Sequence, residues 1–171
     1  MRQQILITLV FASLALSVDA GADSKLSDVS KRMVGESSRS IAGTSNGRKA
    51  CAAMVNRAVK RAYGTSICDS LSVTDMLHTL NRSTEWQRVS APVDGAIVLS
   101  ASKGRHVGVY SGGKVYSNSS SAREWRGQFS ITSWRDVFGE TYYFVRADSS
   151  SQKESNLHAS NYQKRPASPQ G

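Results

Sequence analysis

The sequence predicts an α+β domain, with helices first and a small antiparallel sheet after them. Three observations carry that class. Apolar residues recur at helical spacing in two segments up to about Leu80. From Pro92 onward the pattern changes to short strand-length runs separated by turn residues. Residues 106–110 (HVGVY) and 114–118 (KVYSN) flank Ser111-Gly112-Gly113, which marks a β-hairpin.

The chain has 171 residues, with 22 Lys and Arg against 13 Asp and Glu, a formal net charge of +9. That length accommodates one domain. Two cysteines cannot frame a disulfide miniprotein, and no apolar stretch reaches the ~18 residues of a membrane span. Residues 1–20 have the layout of a secretory signal: Arg2, an apolar run over 5–16, then Ser17-Val18-Asp19-Ala20, where Val18 and Ala20 fit the small-residue cleavage rule. The run covers only ~18 Å of helix against a hydrocarbon core of ~30 Å, which disfavours a membrane anchor. Arg2 and Asp19 cancel, so the secreted chain keeps the whole charge.

Residues 21–46, rich in Ser, Gly and charge, read as a lead-in segment with one helical possibility, where Leu26, Val29 and Met33 share a face. The catalytic domain is expected over 47–147. Residues 148–171 hold Leu157 and Tyr162 as their only large apolar groups and are expected to be a disordered tail.

Within the domain, residues 51–63 form the clearest helix. Cys51, Val55, Ala58, Val59 and Ala62 share one stripe, Asn56, Arg57, Lys60 and Arg61 the other, and Gly64 stops it. A second helix is predicted from Ser72 to about Leu80, with Ser72 or Thr74 as cap. Pro92-Val-Asp-Gly95 is turn chemistry that opens a strand over 96–100. The hairpin follows, and after the Trp134 segment comes a last strand over 141–146.

Cys51 begins the first helix, where free backbone N–H groups and the positive end of the helix dipole favour an anion, and Arg48 and Lys49 add positive charge. A thiol there is expected to ionise more easily than a free one. Cys51 has two other readings, a buried apolar residue or half of a disulfide with Cys68. The helix carries the chain ~18 Å from Cys51, and the few residues left before Cys68 reach ~20 Å only when almost straight, which argues against the bridge.

Strand alternation places His106, Gly108 and Tyr110 on one face and Val107 and Val109 on the other. Gly108 suits a helix lying close over the His106 face. If the Cys51 helix packs there, thiol and imidazole meet as a nucleophile and base pair. A third polar group would fix the imidazole. A three-residue hairpin loop sets Asn118 opposite His106, and this register is preferred; a two-residue Gly112-Gly113 turn sets Ser119 opposite instead, with Ser117 one step along the same face. His78 and His158 are weaker candidates. Tyr110, Trp125 and Trp134 are candidates for lining a substrate cleft, or else core aromatics. Three scattered histidines without a Cys/His cluster imply no metal, and no cofactor is expected.

The sequence CAAMVNRAVKRAYG, followed by APVDGAIVL, GRHVGVYSGGKVYSNSSS and a Trp-containing segment, resembles the papain-like (NlpC-type) peptidoglycan amidases. It is most similar to the second group of type VI secretion amidase effectors and their secreted, domesticated eukaryotic homologues. The likeness covers about 43–146. It implies a nucleophile helix packed on an antiparallel sheet and cleavage of amide bonds in peptidoglycan stem peptides or crosslinks. It also implies Cys51 as nucleophile, His106 as base and Asn118 as the third polar residue. The family's Pro-Gly-Asp turn is Pro92-Val93-Asp94-Gly95 here, a minor departure, and the secretory signal sets the chain apart from injected effectors.

The expected partners are therefore bacterial peptidoglycan and the anionic bacterial surface, with the protein acting as a monomer; the sequence does not say whether an inhibitor protein exists. A cationic surface-binding protein without activity is the main rival, and a general cysteine protease the nearest enzymatic one. No nucleic-acid motif or compact basic stripe with interleaved aromatics is present. Asn81-Arg-Ser83 and Asn118-Ser-Ser120 match the glycan acceptor pattern, and a glycan on Asn118 would conflict with an orienting role.

Overall fold

The computed structural model describes residues 23–147. The secretory signal and the tail read from the sequence lie outside them. The described chain is α+β, with four helices and one six-stranded antiparallel sheet.

Helix α1 (Ser24–Arg32) starts at Asp23, whose carboxylate accepts from the Lys25 and Leu26 amides. Its apolar face, Leu26, Val29 and Met33, is buried in the main core. The segment read as a lead-in is therefore part of the folded body. Three apolar residues on one helical stripe bury as well as those of a longer helix once a sheet receives them.

Helix α2 (Cys51–Tyr63) runs antiparallel to α1: the Tyr63 hydroxyl at its far end donates to the Asp23 carboxylate at the start of α1. Gly64 closes α2 at φ +83°, and its amide returns to the Lys60 carbonyl at 2.8 Å. Helix α3 (Val73–Arg82) is capped by Ser72, whose hydroxyl accepts from the Asp75 amide.

The strands are β1 (Trp86–Val89), β2 (Ile97–Ser100), β3 (His106–Ser111), β4 (Lys114–Ser119), β5 (Glu124–Phe129) and β6 (Tyr142–Arg146), in the spatial order β1-β6-β2-β3-β4-β5. Helix α4 (Ile131–Phe138) falls between β5 and β6 and opens with a capping box of Ser130 and Ser133. Strands β1 and β5 and helix α4 were not anticipated as elements. Each is half-exposed and mixes polar residues among few apolar ones, so its period is weak.

The sheet has two apolar faces. One, with Ile97, Leu99, Val107, Val109 and Phe144, is covered by α1, α2 and α3. The other, with Val98, Val115 and Tyr143, is covered by α4 through Trp134. Trp125 and Trp134 are both fully buried. The Trp125 indole N–H donates to the Ser30 carbonyl of α1 (2.9 Å), and that of Trp134 to the Ser100 hydroxyl of β2 (2.9 Å). They are core groups rather than cleft residues. Each indole N–H is satisfied from inside the protein, which allows a large ring to be buried at little polar cost.

The hairpin turn is Gly112–Gly113, with φ +55° and +80°. Its register pairs Ser111 with Lys114 and Gly108 with Ser117, so it is the two-residue turn and not the three-residue loop. Asp94 accepts from the Gly112 amide (2.9 Å) and holds the turn to the preceding loop.

Leu26→Ala is expected to destabilise the protein by about 2–4 kcal/mol, as for a large side chain removed from a closed core. Urea unfolding checks this; a loss below about 0.5 kcal/mol would place α1 outside the cooperative unit.

Candidate active site

At the head of α2 stands Ala50, which offers no side-chain cap. The first helical amides are thus left without an internal acceptor. The N–H groups of Cys51 and Ala52 are directed at the Cys51 thiol, and so is that of Val107 in β3. Pairing between β3 and β4 ends at Gly108 and Ser117, so the Val107 amide lies one residue beyond the ladder.

Cys51 is buried and free, and so is not bridged to Cys68. The Cys68 sulfur instead lies 3.9 Å from the Asn56 amide nitrogen and 3.8 Å from the Ser70 carbonyl. Burial raises the Cys51 pKa above its ordinary 9.0, and the three amides oppose that shift without cancelling it. The expected easily ionised thiol is therefore corrected: desolvation outweighs the helix-head amides, and the group rests as a neutral thiol.

His106 lies on the opposite face from α2. Its ring stacks on Phe138 (4.6 Å between centroids) and lies 5.3 Å from Trp134, both from α4. The aromatic surroundings desolvate it and lower its pKa from 6.5 to about 4, so it is neutral at physiological pH. Its Nε2 is 3.3 Å from the Ser117 hydroxyl.

The expected packing of α2 over His106 and Gly108 is not what forms. Helix α2 buries its apolar stripe on Val107 and Val109, the apolar face of the same strand. Gly108 instead admits β4: a Cβ there would lie 2.5 Å from the Tyr116 carbonyl oxygen and 2.7 Å from Val115 Cγ1. Cys51 therefore lies on the Val107 face of β3 and the His106 ring on the α4 face, at the end of β3 that pairs with Leu99 and Ser100 of β2. No hydrogen bond joins them directly among the described residues.

The two-residue turn also reassigns the third polar group. Ser117 shares the His106 face and meets its ring, whereas Asn118 points to the α2 side. There Asn118 donates its amide to the Gly47 carbonyl (2.8 Å), which also accepts from the Ser38 hydroxyl (3.2 Å). The Gly47 amide in turn donates to Thr44 Oγ1 (3.1 Å). Gly47 has φ +83°, and a Cβ would strike Ser38 at 2.6 Å. Asn118 thus holds the loop that delivers Cys51. It is 1% exposed, which leaves no room for a glycan in the folded protein, while Asn81 is exposed on α3. Tyr110 is half-buried against the α4 side, toward the turn end of β3.

No group of three or more metal-ligating side chains comes together among the described residues, and no helix among them is long and apolar enough to cross a membrane. What fold and site define is an α+β domain with a helix-head cysteine, three backbone amides directed at its thiol, and a neutral histidine anchored by a serine. Comparison with family models, curated proteins and solved structures finds no match to this chain.

Alkylation of Cys51 by iodoacetamide, followed by mass spectrometry in a Cys68→Ser background, is expected to be slow at neutral pH and to keep rising beyond pH 9.0. A plateau below pH 8, marking a depressed pKa, would contradict the burial effect. His106 adds a second dependence. Its folded pKa lies below its unfolded one, so stability is complete above pH 6.5 and is lost as pH falls toward about 4. The loss is expected to reach roughly 3 kcal/mol, and His106→Phe should flatten that part of the curve.

Proposed function

We propose that this protein is a secreted cysteine amidase with a papain-like arrangement that hydrolyses amide bonds in the peptide stems or crosslinks of bacterial peptidoglycan. One observation carries the reading: three backbone amides are directed at a buried helix-head thiol. The order of the sequence motifs, with Cys51 opening its helix, then PVDGAIV, then HVGVY, supports the substrate class.

In the proposed reaction the Cys51 sulfur attacks the carbonyl carbon of the scissile amide while its proton passes to His106. The carbonyl electron pair moves to oxygen, which the amides at the head of α2 stabilise. His106 returns the proton to the amide nitrogen, the C–N bond breaks, and the free amine leaves. A water then gives a proton to His106 and adds to the thioester. Collapse releases a carboxylic acid and returns the proton to sulfur. A neutral thiol and a neutral imidazole suit this sequence, because proton transfer accompanies attack. Ser117 orients the base, Asn118 holds the nucleophile's loop, and the positive charge retains the enzyme on an anionic wall.

Digestion of purified sacculi is expected to release new amino groups in equal number to new carboxyls. Cys51→Ala and His106→Gln should fall by roughly a thousandfold or more; wall lysis by Cys51→Ala at the full rate would overturn the reading in favour of a non-enzymatic cationic binder. The acid limb of kcat/KM should fall near pH 4, because protonated His106 cannot accept the thiol proton. Ser117→Ala should lower kcat by about tenfold with KM little changed. Asn118→Ala should cost about 1–3 kcal/mol of stability through the Gly47 carbonyl it leaves short of a donor.

A further inference from the structure

We infer that a second binding site, for one neutral sugar unit of a glycan, lies between the C-terminal ends of α2 and α3, at the end of the molecule opposite Cys51. None of its residues takes part in the proposed hydrolysis.

The site is a cavity of about 340 Å³ lined by residues 65–67, 79 and 82–86. Two helix stops create it. Gly64 turns the chain out of α2, and the Asn56 side-chain oxygen accepts from the Ile67 and Cys68 amides (3.0 and 3.4 Å), which fixes the course of the outgoing segment. Helix α3 ends at Arg82, and Ser83 is already extended as the chain runs toward β1. Ile67 and Trp86 belong to the main core as well as to the cavity lining, so the floor is apolar. The Trp86 ring is held edge-on by Tyr63, 6.1 Å between centroids. The length of α2, about 18 Å, separates the cavity from Cys51.

The walls carry hydroxyl groups whose free valences are complementary. Thr65 and Ser66 are exposed and form no hydrogen bond among the described residues, so each can both donate and accept. The Ser83 oxygen already accepts from the Glu85 amide (3.0 Å), which leaves its proton to give. The Thr79 hydroxyl donates to the Asp75 carbonyl (3.0 Å), which leaves its lone pairs to receive. Arg82 is exposed and forms no ion pair among the described residues. Glu85 is engaged through Oε2 with Arg146 (3.4 Å) and keeps Oε1 open.

These charges select against an ionic ligand. Arg82 opposes a cation, Glu85 opposes an anion, and the C-terminal ends of two helices add partial negative charge that also opposes an anion. An uncharged ligand remains, and it must meet donors and acceptors at close intervals. Neighbouring sugar hydroxyls do so, because each donates and accepts, while the C–H face of a pyranose ring suits Ile67 and Trp86. The volume lies at the small end of the roughly 300–1,000 Å³ typical of ligand sites, which fits one ring of a chain rather than the whole chain.

The test is a heteronuclear NMR titration of the isotope-labelled protein with chitotetraose or with cellotetraose, which lacks the N-acetyl groups. Shifts are expected at residues 65–67 and 82–86, with a dissociation constant on the order of 1 mM. Tighter binding of chitotetraose would assign the site to amino-sugar glycans such as those of a bacterial wall, and equal binding to neutral glycans at large. Ser66→Ala combined with Arg82→Gln, both exposed positions, should weaken binding about tenfold. No shift at these residues with either sugar, unchanged affinity in the double variant, or tighter binding of inorganic phosphate at the same residues would overturn the inference. The double variant is expected to cleave a soluble stem peptide as fast as the unsubstituted protein. If neither protein cleaves it, the amidase reading fails and the sugar result stands alone.

Discussion

The register of the β3–β4 hairpin is the constraint on which the site depends. Side chains alternate along a strand, so a slip of one residue would exchange the faces of every side chain on β4. With Gly112 and Gly113 as the two turn residues, Ser117 falls on the His106 face and Asn118 on the face of α2. Both polar groups are then buried where each has work to do. The turn is held from outside by Asp94, and Ser111 is drawn inward to meet the Ser27 hydroxyl of α1. A three-residue loop would release Ser111 from its pairing with Lys114 and lose that buried contact.

The same register explains why the thiol and the imidazole are neutral. Helix α2 needs an apolar surface and takes Val107 and Val109, which carries Cys51 under the sheet, away from water. His106, one residue away, is turned to the other side, where Phe138 and Trp134 remove its water in turn. Desolvation of each group acts against its charged form and exceeds what the local amides return to the thiol.

Much of this arrangement was legible in the sequence. Helix α2 could be read from its stripe and Gly64, α3 from Ser72 and its periodic apolar residues, and β2, β3, β4 and β6 from short apolar runs between turn residues. Cys51 and His106 stood out because each opens its element. Other parts were hidden for identifiable reasons. Strand β1 buries Trp86 but shows its next two residues to solvent, and β5 is interrupted by Gly127, which makes room for the Tyr116 ring. Helix α1 looked like a lead-in because its neighbours are small and polar, yet its three apolar residues meet a surface that only the folded sheet creates. The hairpin register turned on Asp94 and Ser27, contacts made by residues 18 and 84 positions away from their partners. No local pattern in Ser-Gly-Gly distinguishes the two loops. Trp125 and Trp134, read as possible rim groups, are interior because Ser30 and Ser100 are placed to receive their N–H groups.

The two ends of the folded body leave it on the same side. Asp23 bonds through its amide to the Asp94 carbonyl near the Gly112 turn, and the Ala147 amide reaches the Glu85 carbonyl beside the start of β1. Both places are at the opposite end of the strands from Cys51 and His106, and a strand the length of β3 measures about 17 Å. A label attached beside Asp23 or Ala147 would therefore sit at the end of the sheet opposite Cys51. Chemistry done at those two positions would leave the Cys51 end of the sheet untouched.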